Sequence, residues 1–457
     1  MNTYFWNKIP VEYYFLVIGL YFGMRMVFVN PPWQTNDEDR HFYNAYYLKE
    51  GYIGPQQRGD KVGRPLPVNL VQTVSNFQGI RFGQNKISKS ALKQMERTPL
   101  NPSDTAFFHN PTSHICSVAY IPSVIGMKLG ALINNHPVWL GWWARIGALL
   151  SYLIILFYAI RITPVAKHVF MLIALTPMTL YQGASTTYDT LCISLSMLIV
   201  AKAFQLNFRE NVVTLKDLLI FGVICLFQRL VKDGYFLIPF LILMIPPSRF
   251  ENKGFYFGTV LYLFILIVLP TYIWEPFVKV NWSDIQAFQK DFRFNLGENL
   301  KSQLSAPGTM ISNLIKNILL QSREWFVGAY GRFGYSYTPL PNPLVAFNML
   351  VMLFVSTFDF NKGIKFNLYQ RILILVIAGL TAGAIIGGFY FASPIGASMI
   401  FGLQGRYFIL VLFLILLFLA GRAELPWFRQ WGTLLLSFYL CVTLTYTLNF
   451  LSSTFYN

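Results

Sequence analysis

The sequence predicts an all-α integral membrane protein, a bundle of about eleven transmembrane helices (ten to twelve), on three observations. Only 12% of the 457 residues are charged while 54% are hydrophobic, about half the charged share of a soluble globular domain. The mean hydropathy is +0.46. Apolar stretches close to the ~20 residues needed to cross a bilayer recur along nearly the whole chain. A transmembrane barrel would instead show segments of about ten residues alternating in polarity, whereas VLYLFILIVLP (260–270) and RYFILVLFLILLFLAG (406–421) are apolar on every side.

Taken in order, the clear spans are 11–29, 138–160, 186–205, 255–275, 371–391, 406–421 and 431–451, with shorter ones near 168–183, 216–231, 233–247 and 343–358. Residues 11–29 are read as a retained first span, because Asn30-Pro31-Pro32-Trp33 lacks the small residues of a signal-peptide cleavage site. The segment 114–133 is apolar but interrupted by Pro122 and Lys128, and counting it as a span inverts every span after it.

Charge arbitrates. With 114–133 read as a re-entrant or interfacial helix and Lys8 cytoplasmic, the connections 161–168, 202–217, 248–254, 359–371 and 422–430 face the cytoplasm. They carry Arg161, Lys167, Lys202, Arg209, Lys216, Arg249, Lys253, Lys362, Lys365, Arg371, Arg422 and Arg429, while 184–187 and 392–404 carry no Lys or Arg. That asymmetry follows the positive-inside rule. It places the amino terminus inside, the carboxyl terminus outside, and two long extracytoplasmic loops at 30–113 and 276–342, all within one transmembrane domain spanning 1–457. The first loop contains Pro/Gly-rich polar sequence from Gly51 to Arg64 and a short helix in KISKSALKQMERT capped by Ser88. The second is rich in interfacial aromatics.

The net charge of +16 is dispersed between apolar spans, which points to lipid headgroups and phosphates rather than nucleic acid. Cys116, Cys192, Cys225 and Cys441 are far apart in apolar sequence, so neither a disulfide framework nor a zinc site is expected. His41, His109 and His114 match no common metal spacing. The chain has no Walker loop, nucleotide fingerprint, nucleophile elbow or HExxH, which excludes ATP-driven transport and the common protease classes by this chain alone.

Two polar islands carry the candidate chemistry. Directly after the first span, PPWQTNDEDRHFYNAY sets Asp37, Glu38, Asp39, Arg40 and His41 at the outer surface. A carboxylate there can act as general base on a hydroxyl, or be a solvated acidic turn. In TPMTLYQGASTTYDTL, Asp189 stands at the junction of two spans, where an ionisable residue faces a water-filled cavity or a partner, or else caps the span. Arg229, Lys232, Arg323, Arg332 and Arg406 fall on the same face and would grip a phosphate or snorkel at span ends. Gly402 and Gly405 beside Arg406 allow close backbone approach to a ligand or simply start a helix.

PPWQTNDEDRHF (31–42), LTPMTLYQGASTTYDTL (175–191), VKDGY (231–235) and FGLQGRYF (401–408), with GRFGYSYTPLP (331–341) as a weaker fifth, resemble a large bacterial family of polytopic glycosyltransferases of the GT-C superfamily, long catalogued as a membrane domain of unknown function. The likeness spans nearly the whole chain and implies a GT-C-like bundle. It departs at Lys232, where Asp233-Gly234 follows in place of the family's prolines, so a salt bridge to Asp233 could occupy that lysine.

The resemblance implies a polyprenyl-phosphate-linked sugar as donor, a cell-envelope glycan such as O-antigen or teichoic acid as acceptor, and inversion at the anomeric carbon on the extracytoplasmic side of the bacterial inner membrane. It places the catalytic carboxylate at Asp37 or Glu38. The leaving phosphate would be held by Lys232, Arg332 or Arg406, and Asp189 would orient donor or acceptor. His41, Gln404 and Tyr407 complete the expected binding set. Fixed cations can stabilise a monophosphate leaving group without a metal, so no cofactor is expected, although paired carboxylates would also suit a divalent ion. Two other classes stay open: a glycan polymerase or ligase acting on larger lipid-linked chains, and a flippase or secondary transporter, which would put its ionisable groups near the bilayer midplane.

Overall fold

The computed structural model describes residues 9–82, 85–281, 296–359, 363–393 and 399–457. Lys8, Lys362, residues 282–295 of the second long loop and residues 394–398 of the connection 392–404 lie outside the described residues.

Among the described residues six helices are long and apolar enough to cross a membrane: α1 (Val11–Val29), α6 (Pro137–Ile162), α9 (Asp189–Phe208), α11 (Lys253–Trp274, extended by one 3-10 turn to Phe277), α15 (Leu368–Phe391) and α17 (Pro426–Phe455). The other five expected spans are shorter or broken, and prolines explain two of them. Residues 168–183 split into α7 (Lys167–Ala174) and α8 (Pro177–Gly183), because Pro177 has no N–H to donate back and starts a new first turn instead. The stretch 233–247 carries Gly234, Pro239, Pro246 and Pro247 and forms 3-10 turns over Asp233–Tyr235 and Ile238–Met244 in place of a span. The remaining apolar helices α10 (Leu215–Val231), α14 (Asn342–Phe358) and α16 (Ile409–Leu419) are 17, 17 and 11 residues long. In the segment 114–133 the helix is α5 (Ile121–Ala131), at about 16 Å too short to span. It lies against α6 through Gly126 and Gly147, whose Cα atoms are so close that a Cβ on either would sit 2.9 Å from the other.

The first long loop is more ordered than its polar composition suggests. After α2 (Glu38–Lys49), the Pro/Gly-rich stretch forms β1 (Gln56–Arg58) and β2 (Lys61–Pro67), which pair antiparallel around Gly59; β3 (Thr105–His109) adds on the other side of β2, with Gly63 opposite His109. Between them, α3 (Val68–Asn76) precedes α4 (Lys89–Glu96), where the Ser88 hydroxyl accepts from the Ala91 amide at 3.1 Å as the cap expected there. In the second loop, α12 (Leu296–Leu304) and α13 (Pro307–Gly331) lead into a small hairpin of β4 (Arg332–Phe333) and β5 (Thr338–Pro339).

Contacts divide the bundle into two ends. At one, Lys167 pairs with Glu12 at the start of α1, His168 bridges Asp359 and Thr433 at 2.8 Å each, Arg371 donates to the carbonyls of Phe418 and Ala420, and Arg209 pairs with Asp217. This end collects the Lys- and Arg-bearing connections. At the other end meet the exit of α1, the start of α2, the α8–α9 junction, the end of α10, the β4–β5 hairpin and the 3-10 turn Gly405–Phe408.

Candidate functional site

Two charged clusters occupy this second end, each built around a buried arginine. The first is closed. Arg145, inside α6, sends Nε and Nη2 to the two oxygens of Glu38 at 2.7 and 2.6 Å, and its remaining N–H groups to the carbonyls of Val27, Asn30 and Pro31 at 2.6–2.9 Å. All five guanidinium donors are used. Glu38 also accepts from the amides of Thr35 and Thr186 and is completely buried. The pair ties the unwinding end of α1 to α2 and to the loop before α9. Glu38 therefore holds the fold together at the position where a catalytic carboxylate was one of two expectations.

Asp37 is arranged differently. It precedes α2 in the left-handed conformation, φ 59°, and its side chain makes no capping bond. An aspartate in that position ordinarily spends its carboxylate on the first amides of the helix; here the backbone turns it outward, its side chain 38% exposed and 3.5 Å from Arg406. The opposing loop is left-handed too, at Tyr335 and Ser336, and the two are joined by Asn36 donating to Ser336 and Tyr335 donating to Asp39 at 2.8 Å. Asp39 is further paired with Arg81 at 2.5 Å. Of the three adjacent acidic residues, only Asp37 is left outside a short ion pair among the described residues.

The second cluster joins Asp37 to Asp189. Arg406 Nε is 3.3 Å from Asp189 Oδ2, and Lys232 Nζ is 2.6 Å from Asp189 Oδ1. The ammonium of Lys232 lies over the rings of Tyr188 and Tyr407 at 4.4 and 4.3 Å, a cation–π arrangement that stabilises a partly desolvated cation. The expected bridge from Lys232 to Asp233 is not formed: Asp233 pairs with Arg229, one turn back on α10. This cluster is incomplete. Asp189 Oδ2, Arg406 Nε and Gln404 Oε1 are buried without an aligned hydrogen-bond partner among the described residues.

A cavity of about 310 Å³ opens beside it, walled by Tyr188, Lys232, Tyr235 and Tyr407 on one side and on the other by the small residues Ala384 and Gly388 of α15 and Ala392 just after it. Tyr407 stacks on Phe389 of that helix, ring centroids 5.2 Å apart. Nothing lies within 4 Å of a Cβ built on Gly388, so this glycine in the last turn of α15 answers no packing demand among the described residues and leaves the wall open.

His41 backs the cluster. Its Nδ1 is 2.7 Å from the Tyr120 hydroxyl and its ring meets Tyr188 edge-on. Burial pushes its pKa down to about 4, which keeps it neutral near pH 7. His109 faces the Val62 backbone and His114 the Pro111 carbonyl, so the three histidines are dispersed. Among the described residues no three His, Cys, Asp or Glu side chains converge as a metal site. Arg332 is paired with Glu324 near the β4–β5 hairpin, and its observed partners lie outside the Asp37–Asp189 group. Asp37, Asp189, Lys232, Arg406 and Tyr407 come together; Glu38 and Arg332 are engaged elsewhere.

Sequence reasoning missed Arg145, although an arginine within the apolar run VWLGWWARIGALL is itself a signal, since a charge inside a span needs a partner. It also missed Tyr188 and Tyr235, which no spacing distinguishes from the other aromatics of the chain.

Apolar helices of spanning length, with charged groups paired where they enter the interior, define an integral membrane protein whose lipid-facing surface meets the bilayer. The chain belongs to the family described as predicted membrane protein (DUF2142), whose profile matches residues 20–416 and so includes every residue of the site. No curated protein and no solved structure matches it.

Proposed function

We propose that the protein is an inverting glycosyltransferase that moves a sugar from a polyprenyl-phosphate-linked donor to a cell-envelope glycan, O-antigen being the favoured acceptor, on the extracytoplasmic side of a bacterial inner membrane. The observation that carries this reading is one open carboxylate, Asp37, beside Arg406, with a second cation, Lys232, held by Asp189 next to a cavity whose far wall is apolar. A carboxylate at the edge of a membrane site suits a hydroxyl acceptor arriving from water. Two cations next to an apolar wall suit a phosphate that carries a lipid.

In this reading the acceptor oxygen attacks the anomeric carbon from the face opposite the phosphate while Asp37 takes the hydroxyl proton. The bond from the anomeric carbon to the phosphate oxygen breaks, and the phosphate departs with the electron pair into the field of Lys232 and Arg406. Asp189 orients both cations; Tyr407 and Tyr188 shield Lys232 from water. The opposite end of the bundle, where Lys167, Arg209, Arg371 and their neighbours collect, supports a cytoplasmic assignment for that end by the positive-inside rule. It also supports reading α5 as an interfacial helix. The charged site lies at the helix ends rather than midway along a span, which favours a transferase over a transporter.

The test is to produce wild-type protein and Asp37→Asn in the native host at equal membrane levels and compare envelope glycans by mass spectrometry. The expected result is loss of one glycan substituent with Asp37→Asn. An unchanged glycan profile would overturn the reading.

A further inference from the structure

Resting on the transferase reading, we propose that Arg406 is a counter-ion shared between Asp37 and the ligand site: it occupies Asp37 until a phosphate-bearing ligand draws the guanidinium away, so that donor binding releases the base. The enzyme then works in a compulsory order, donor first and acceptor activation second.

Four observations lead there. One guanidinium serves two carboxylates, at 3.5 Å from Asp37 and 3.3 Å from Asp189, and neither contact is an aligned hydrogen bond. Its hydrogen bonds to the Asn36 carbonyl and the Tyr407 hydroxyl, at 3.3 and 3.4 Å, are also long for a charged donor, where ~2.7–2.9 Å is usual. Arg406 is nonetheless buried, side chain 5% exposed, and a buried guanidinium with unfilled donors gains most from an anion that fills them. Finally, the group formed by Asp37, Asp189, Lys232 and Arg406 is neutral as it stands, so an arriving anion must displace one carboxylate from a cation.

Geometry decides which carboxylate yields. Asp189 keeps Lys232 at 2.6 Å and is buried. Asp37 has only the loose Arg406 contact among the ion pairs observed, and it is the more exposed of the two, so water replaces its lost partner at little cost. The ionisable groups that face Asp37 from neighbouring elements are His41 of α2, Tyr188 before α9 and Tyr335 of the hairpin loop. All three are neutral near pH 7, so none substitutes for the guanidinium.

The test uses the full-length protein in lipid nanodiscs, with a water-soluble carbodiimide and an amine tag read by peptide mass spectrometry at Asp37. Exposed Glu424 serves as reference. The probes are farnesyl monophosphate and inorganic phosphate, with binding followed in parallel by native mass spectrometry. Saturation with farnesyl monophosphate is expected to raise labelling of Asp37 about three- to fivefold, the scale of losing a half-exposed ion pair. Labelling of Asp189 should not change. In Arg406→Gln, Asp37 is expected to label at the high level with or without ligand. A rise with inorganic phosphate as well assigns the effect to the anion alone; a rise only with the farnesyl compound assigns it to a lipid-borne phosphate. Unchanged or reduced labelling of wild-type protein at saturation, or no monophosphate binding at all, overturns the proposal, whether or not the Arg406 variant folds. Loss of transfer in Asp37→Asn with no rise in wild-type labelling removes the shared counter-ion and leaves the transferase reading intact. Normal transfer by Asp37→Asn removes that reading itself.

Discussion

Arg145 and Arg406 are both buried, both reach a carboxylate at the start of α2, and sit at the same end of the bundle, yet they are built to opposite standards. Arg145 fills every donor at 2.6–2.9 Å. Among the described residues Arg406 makes two hydrogen bonds, both longer than 3.2 Å, and leaves Nε without an aligned partner. A completed ion pair has nothing left to offer a ligand, while an incomplete one beside a cavity does. The difference separates two adjacent acidic residues that look equivalent in sequence: Glu38 belongs to the architecture, and Asp37 is left free for the chemistry we propose.

Breaking the closed pair tests this most severely. Glu38→Ala is expected to destabilise the protein by about 3–5 kcal/mol, because it strands a fully buried guanidinium, and the protein should fail to accumulate in membranes. The double variant Glu38→Met with Arg145→Met should recover much of that loss in a detergent-solubilised thermal melt, since an apolar pair strands no charge. Equal melts for the single and double variants would contradict the assignment.

The open pair should behave in the opposite sense. Asp37→Asn is expected to leave the melt within about 0.5 kcal/mol of wild type while the proposed sugar transfer falls by roughly 10²–10⁴, the usual contribution of a general base. A variant that melts early and transfers normally would reverse the roles given to Asp37 and Glu38.

A smaller effect is expected from His41, which supports the open cluster from behind. Its pKa is lowered to about 4 by burial, so the unfolded chain takes up a proton more readily than the folded one. The stability it contributes is present above the ordinary histidine value of about 6.5 and is lost as pH falls from there toward 4. His41→Gln should flatten the pH dependence of the melting temperature across that window. An identical slope in the variant would count against it.

A modest change, in stability alone, is expected at Gly388 on the cavity wall. Gly388→Ala meets nothing within 4 Å and removes a glycine from the last turn of α15, so the melt should rise by less than the ~1 kcal/mol of a helix-interior glycine. Gly126→Ala, by contrast, would run into Gly147 and the Trp143 carbonyl and should lower it. A loss of stability in Gly388→Ala would mean that the wall is packed rather than open.

Much of the site is legible in the amino-acid sequence. Asp37, Asp189, Lys232 and Arg406 stand out because ionisable residues at the ends of apolar spans are costly unless paired or used, and they do meet. Their pairing is not legible. The spacing of Lys232 and Asp233 suggests a bridge, but the chain turns between them, sending Lys232 to Asp189 and Asp233 to Arg229. Likewise hydropathy marks 168–183 and 233–247 as spans because it weighs side-chain transfer and ignores the amide hydrogen that proline lacks.

By itself, the sequence determined that this chain folds in a bilayer, that its long apolar helices run as spans, and that its charges gather at span ends, because the cost of burying charge and unpaired backbone in hydrocarbon acts locally on every segment. Only the tertiary structure decided that Glu38 is spent on Arg145, that Arg332 lies apart from the site, and that Asp37 and Asp189 share one guanidinium. Those outcomes depend on which helix ends meet, and residues 107, 148 and 370 positions apart in the chain are brought together by packing alone.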